Sequence, residues 1–148
     1  MTEIFGYSGP VITTTPTKAL MPYMLEDYSR VITENQKKDK QAPEEANKNA
    51  FYLSYTAQQI KACGDKISTM NLHEVKVVNG IKIKTYYAGH ILGACMFLIE
   101  YNGLKVVYTG DFNCTADRHL GAAWIEKCKP NVVITESTYA TTVRDSKK

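Results

Sequence analysis

Three side chains able to bind a metal or move a proton, His90, Asp111 and Glu136, each follow closely on a β-rich run: Ile81 to Tyr87, Leu104 to Tyr108 and Asn131 to Thr135. In layered α/β folds the loops at the carboxyl ends of strands gather ligands and catalytic groups, because they vary without disturbing the core. A two-residue turn at Asn102-Gly103 pairs Tyr101 with Leu104, and counting back along that ladder sets Asp111 opposite Ala94, four residues from His90. His90 and Asp111 should therefore be near neighbours. Gly89 and Gly93 flank the histidine and Gly110 precedes the aspartate, which permits tight turns and close backbone approach. Imidazole with carboxylate is an ordinary zinc ligand pair. Such a pair is more often a structural hydrogen-bonded one, and two ligands do not make a site. Glu136 also has two readings: a cap on the turn at Ser137-Thr138, or support for a reactive group in front of it. The adjacent Asp117, Arg118 and His119 read either as the charge-paired brace of a loop or as substrate contacts. His73, inside the run Leu72 to Val78, reads as structural, and Tyr86 and Tyr87 as partly buried strand residues.

Hairpins must position these groups. Leu72 to Val78 is joined to Ile81 to Tyr87 by Asn79-Gly80, and Cys95 to Tyr101 is joined to Leu104 to Tyr108 by Asn102-Gly103. Asn-Gly is suited to both central positions of the tight turn that matches strand twist. Ala122 to Cys128 reads as a short helix, ended by Lys129-Pro130 ahead of the valine-rich strand Asn131 to Thr135. In the first half, Pro10 to Thr14 reads as a strand, with Thr15-Pro16 as helix N-cap and first-turn proline. Ala19, Leu20, Tyr23, Met24, Tyr28, Val31 and Ile32 then recur at helical spacing to about Thr33, and Pro22 leaves the helix start open. Asn35 to about Asn47 is rich in amides and mixed charges, as a mobile solvated loop would be. Helical character returns at Ser54, with Gly64 interrupting it before Ile67 and Met70, and the polar tail from Val143 should fray. The fold class is α/β, a mixed sheet with hairpins and flanking helices.

At 148 residues and 44% apolar content, the chain can bury a core without disulfides. A net charge of +3, from 18 basic and 15 acidic residues, is too small to mark a nucleic-acid binder. The four cysteines form no C-x-x-C pair, and Cys95 lies in an apolar run where a reduced thiol is expected. No apolar run approaches the roughly 18 residues of a membrane span, and the start Met1-Thr2-Glu3-Ile4 is unlike a signal peptide. A cytosolic or nuclear protein is expected, with no membrane and no small-molecule cofactor.

Four segments occur in order: Tyr87-Ala-Gly-His90-Ile-Leu-Gly-Ala, Tyr108-Thr-Gly-Asp111-Phe, Asp117-Arg-His-Leu-Gly-Ala-Ala-Trp-Ile and Ile134-Thr-Glu136-Ser-Thr-Tyr. Together they resemble the metallo-β-lactamase-fold, β-CASP-type RNA endonucleases. Thr14-Thr-Pro-Thr17 and the helix after it resemble the same family, with Thr15 standing where a histidine often precedes the proline. The resemblance implies part of an αββα sandwich over residues 1–148, and a zinc-dependent hydrolase acting on nuclear RNA in 3′-end processing of small nuclear RNA or pre-mRNA. It also implies partner subunits of a processing complex and a place in the nucleus. His90 would be a ligand to one of two zinc ions and Asp111 would bridge both. Glu136 would stand behind them, catalytic through a histidine from the far carboxyl-terminal part of the enzyme. The family's His-x-His-x-Asp-His motif occurs nowhere here, and the resemblance places it ahead of Met1, with further ligands and the β-CASP domain beyond Lys148. An internal piece is thus expected, binding zinc weakly or not at all and inactive by itself. Two other expectations compete: a metal-free scaffold module of an RNA-processing complex, and a hydrolase of small esters or thioesters. The Asp117 to Ile125 and Ile134 to Tyr139 segments resemble the RNA-cleaving branch and stand against the latter.

Overall fold

The computed structural model describes residues 2–39 and 55–142, in two compact units that divide between Thr69 and Met70. In the first unit, strand β1 (Val11–Thr14) runs directly into helix α1 (Thr15–Asp39), and helix α2 (Ala57–Lys66) leads into strand β2 (Ile67–Met70), the partner of β1. The cap of α1 is Thr14 and not Thr15: the Thr14 hydroxyl lies 2.9 Å from that of Thr17 and accepts the Thr17 N–H at 3.4 Å. Pro16 thereby falls in the first turn, where its missing N–H removes no helical bond. Pro22 lies inside the helix.

α1 continues past Thr33 to Asp39, so the loop expected from Asn35 is helix over its first residues. The straight-chain residues there are good helix formers, which composition alone did not weigh against their charge. The remainder of the expected loop lies outside the described residues, as do Ser54 and the tail from Val143. The inward face of α1 carries Met21, Leu25, Ser29 and Ile32, with Ile32 only 5% exposed. Leu20, Tyr23, Met24, Tyr28 and Val31, which the helical spacing singled out, are between 43% and 70% exposed. The inward face is set by what it meets: Ser29 Oγ donates to the Tyr55 carbonyl at 3.1 Å, and the Met21 methyl lies 3.5 Å from where a β-carbon on Gly64 would stand. Gly64 therefore marks a close helix approach and no break. α2 starts instead at a capping box, in which Thr56 Oγ1 accepts the Gln59 N–H at 3.2 Å and Gln59 Oε1 accepts the Thr56 N–H at 2.8 Å.

The second unit is a five-stranded sheet in chain order, β3 (Val75–Val78), β4 (Ile81–Tyr87), β5 (Cys95–Tyr101), β6 (Leu104–Tyr108) and β7 (Val132–Ile134). The first four pair antiparallel and β7 joins β6 in parallel, giving the mixed sheet expected of an α/β fold. Both Asn-Gly turns form as read, with φ of 50° and 80° at Asn79 and Gly80 and 48° and 79° at Asn102 and Gly103. They set the registers Val78 to Ile81 and Tyr101 to Leu104.

One sheet face holds the core: Tyr86 lies opposite Met96, Leu98 lies opposite Val107, and all four are at most 5% exposed. Ala123, Ile125 and Cys128 pack against this face, yet Ala122 to Cys128 is not the helix the sequence suggested. Its N–H groups are committed elsewhere, Ala123 N–H to the Asn113 carbonyl at 2.7 Å and Trp124 N–H to the Tyr87 carbonyl at 3.2 Å. The segment is thus an extended strap across the core. Glu126 fastens it by accepting from the Tyr86 hydroxyl and from Lys84 Nζ, the latter at 2.9 Å. His73 precedes β3 with φ of 65° and packs edge-on against both Tyr86 and Trp124. Cys63, Cys95, Cys114 and Cys128 are all free, and burial pushes the Cys95 thiol up to about 11. No helix among the described residues is long and apolar enough to cross a membrane.

Leu98→Ala should cost about 2–5 kcal/mol in urea unfolding, because it opens a cavity beneath the strap. Val77→Ala, at a position 66% exposed, should stay within about 0.5 kcal/mol.

Candidate functional site

Strand β4 ends in Tyr87, and the chain then turns through Gly89 at φ of 67° into the loop that carries His90. Space decides that turn. A β-carbon on Gly89 would stand 2.6 Å from the Asn113 oxygen, 2.7 Å from the Gly121 oxygen and 2.8 Å from the Ala123 nitrogen. The loop after β6 is joined to the same place, since Asn113 N–H donates to the Ala88 carbonyl at 2.8 Å. His90 is thus held one residue from this junction and Asp111 two residues from it. His90 Nε2 lies 3.7 Å from Asp111 Oδ2, with the two side chains 44% and 62% exposed. The neighbourhood read from the hairpin register is present, and both groups are open to solvent.

Glu136 follows β7. Thr109 at the end of β6 ties that strand end down, its N–H donating to the Ile134 carbonyl at 3.0 Å and its hydroxyl donating to the Thr135 hydroxyl at 3.1 Å. Glu136 Oε1 then accepts the Phe112 N–H at 2.9 Å, so the carboxylate grips the peptide immediately after Asp111. A hydrogen bond from Thr138, that Phe112 N–H and the nearby His90 hold the Glu136 carboxyl below its ordinary value. The cap on the following turn and the support behind Asp111 are therefore the same interaction set. An open hollow of about 290 Å³ beside it is lined by Phe112, Glu136, Thr138 and Tyr139.

Asp117, Arg118 and His119 lie away from this pair in sequence but on a loop rooted beside it. Asp117 and Leu120 exchange backbone hydrogen bonds at 2.8 and 3.2 Å, making a minimal hairpin with Arg118 and His119 exposed at its tip. Asp117 Oδ1 accepts the Arg118 N–H at 2.8 Å, so the aspartate braces its own turn. The structure brings His90, Asp111 and Glu136 to one edge. Among the described residues no group of three or more His, Cys, Asp or Glu is placed to hold a metal ion. Sequence reasoning missed Asn113, whose backbone joins three segments, because a backbone role leaves no signature in residue type.

A metallo-β-lactamase superfamily domain model matches residues 1–141, and the chain belongs to that superfamily, with whose α/β class the mixed sheet and helices agree. In particular, the chain is 50% identical over 149 residues to Integrator complex subunit 11 of Danio rerio, an alignment covering 100% of this chain and 23% of that protein. It is 50% identical over 148 residues to the Integrator complex subunit 11 homolog of Dictyostelium discoideum, covering 99% and 18%. It is 39% identical over 143 residues to cleavage and polyadenylation specificity factor 73 of Drosophila melanogaster, covering 97% and 19%. The chain spans about a fifth of the length of the curated relatives it matches.

Two outcomes follow from this geometry. Gly89→Ala should lower stability by more than about 1 kcal/mol, because the positive φ and the crowding act together, and should move the His90 ring resonances. Glu136 has a depressed pKa in the folded state, so its bond to Phe112 should be intact above the ordinary carboxylate value of about 4.3 and be lost only as pH falls through a lower value. The Phe112 amide shift, followed by NMR against pH, should therefore titrate with a midpoint below that of a free glutamate.

Proposed function

We propose that this chain is an internal part of a zinc-dependent RNA endonuclease, a hydrolase working in a nuclear complex that processes the 3′ ends of small nuclear RNA or pre-mRNA. The observation that carries the reading is the convergence of His90 Nε2 and Asp111 Oδ2 at 3.7 Å, at the end of a hairpin whose register fixes both. His90 and Asp111 would hold the ion between them, as imidazole and carboxylate do in zinc sites. The donor types fit zinc, and the exposed edge leaves room for further ligands from elsewhere in the protein. The relatives' names, an Integrator subunit and a cleavage and polyadenylation factor, support RNA substrate, partner subunits and the nucleus.

On this reading His90 and Asp111 would hold zinc, and the His-x-His-x-Asp-His motif and a β-CASP domain belong to other parts of the longer protein. Two zinc ions there would supply Lewis acidity toward a phosphoryl oxygen and acidify water. Glu136 fixes the peptide behind Asp111, so the Asp111 backbone would already be ordered when its carboxylate met an ion. Its negative charge also suits it to orient a histidine from the distant carboxyl-terminal part, which would protonate the leaving oxygen. The 148-residue chain by itself would then hold zinc weakly and cleave nothing.

The test compares the full-length protein with its Asp111→Ala variant for zinc content and cleavage of single-stranded RNA. About two zinc ions per chain and turnover are expected in the parent, with the variant losing metal and roughly 100-fold or more in rate. A parent that holds no zinc and cuts no RNA with its partner subunits present is a scaffold module instead.

A further inference from the structure

We propose that the Asp117–Leu120 hairpin is a phosphate grip, in which Arg118, assisted by His119, takes an RNA phosphate next to the one cleaved at the His90–Asp111 edge. The inference rests on the reading of that edge as an RNA-cleaving site and adds the group that holds the substrate there.

The loop between Asp111 and the strap is closed at its base by Ala123 N–H donating to the Asn113 carbonyl at 2.7 Å, and it is seated on β4 by Asn113 N–H donating to the Ala88 carbonyl at 2.8 Å. Its root touches the place where a β-carbon on Gly89 would stand, through the Gly121 oxygen at 2.7 Å. The hairpin is therefore rooted at the Gly89 turn, one residue from His90, on the loop that begins with Asp111. Within it, Thr115 N–H donates to Asn113 Oδ1 at 3.0 Å, and Asp117 and Leu120 close the tip reciprocally. A loop fixed at root and tip presents its outermost side chains at small entropic cost on binding.

Charge gives the tip its task. RNA brings a negative charge with every nucleotide, so a fixed cation is needed to hold a phosphate beside the one that is cleaved. Arg118 supplies it: the side chain is exposed, and among the described residues it forms no ion pair, since Asp117 Oδ1 is turned to the Arg118 backbone N–H. A planar guanidinium presents paired donors that match two phosphate oxygens, which a lysine cannot do in the same geometry. A purely structural brace would place the guanidinium against a carboxylate of its own fold. Here it is left to solvent on a loop already held by backbone hydrogen bonds and by the Asn113 and Asp117 side chains.

The experiment is steady-state cleavage of a single-stranded RNA by the full-length protein, with Arg118→Ala, Arg118→Lys and His119→Ala, zinc content being measured alongside. Arg118→Ala should raise KM roughly 10-fold with zinc content unchanged. The slope of log kcat/KM against log salt should fall by about 0.7, the loss of one phosphate contact to a single strand. Arg118→Lys should restore the salt slope but only part of KM, and His119→Ala should act in the same direction and more weakly. A wild-type KM and salt slope in Arg118→Ala, beside an active parent, overturns the grip while leaving the site standing. Loss of zinc in Arg118→Ala also overturns it, as the loop would then be a brace. A parent with neither zinc nor cleavage removes the site reading and the grip together.

Discussion

At Gly89 three backbone atoms from the loop after β6 and from the strap stand 2.6 to 2.8 Å from the point a β-carbon would occupy, so the chain closes there only around glycine. Several features follow from that crowding. The strap can reach the Tyr87 and Asn113 carbonyls because nothing projects between them, and in reaching them it gives up the helix its alanines and isoleucine would otherwise favour. Laid out flat, it covers Tyr86, Met96, Leu98 and Val107 with Ala123, Ile125 and Cys128. The same junction anchors the loops of His90 and Asp111. Core coverage and site geometry are thus two results of one backbone contact, and a change that relieves one disturbs the other.

The two carboxylates at the edge divide their tasks by environment. Glu136 is fixed by the Phe112 N–H and by Thr138, which keep it ionised and oriented. Asp111 faces His90 across 3.7 Å and remains 62% exposed, too far for a hydrogen bond and too solvated for strong attraction. Asp111 is thus positioned from behind through its own peptide and uncommitted in front.

Much of this was readable from residue types where the determinant is local. Asn79-Gly80 and Asn102-Gly103 fixed four strands and the His90–Asp111 neighbourhood, because a two-residue turn leaves no freedom in register. The resemblance of the segments around His90, Asp111, Asp117 and Glu136 pointed to the superfamily that the comparisons then established. The readings that failed depended on contacts from far along the chain. Ala122 to Cys128 has helical composition, and the acceptors that hold it extended, Tyr87 and Asn113, are distant or unmarked. The apolar residues of α1 repeat on two faces, and only the approach of Gly64 and Tyr55 selects Met21, Leu25 and Ile32 as the inward one. Thr14 and Thr15 are chemically alike, so the choice of cap falls to the strand that delivers them.

The turn at Asn102-Gly103 is also a gauge. Residues advance about 3.4 Å along an antiparallel strand, nearly the whole separation of His90 and Asp111, and each step reverses the face a side chain points to. A slip of that pairing by a single residue would carry Asp111 about 3.4 Å along its strand direction and turn Val107 out of the core in the same motion. The tolerance of the His90–Asp111 neighbourhood is therefore finer than the smallest step by which two strands can slip. It is set at the opposite end of the hairpin, by Asn102 and Gly103.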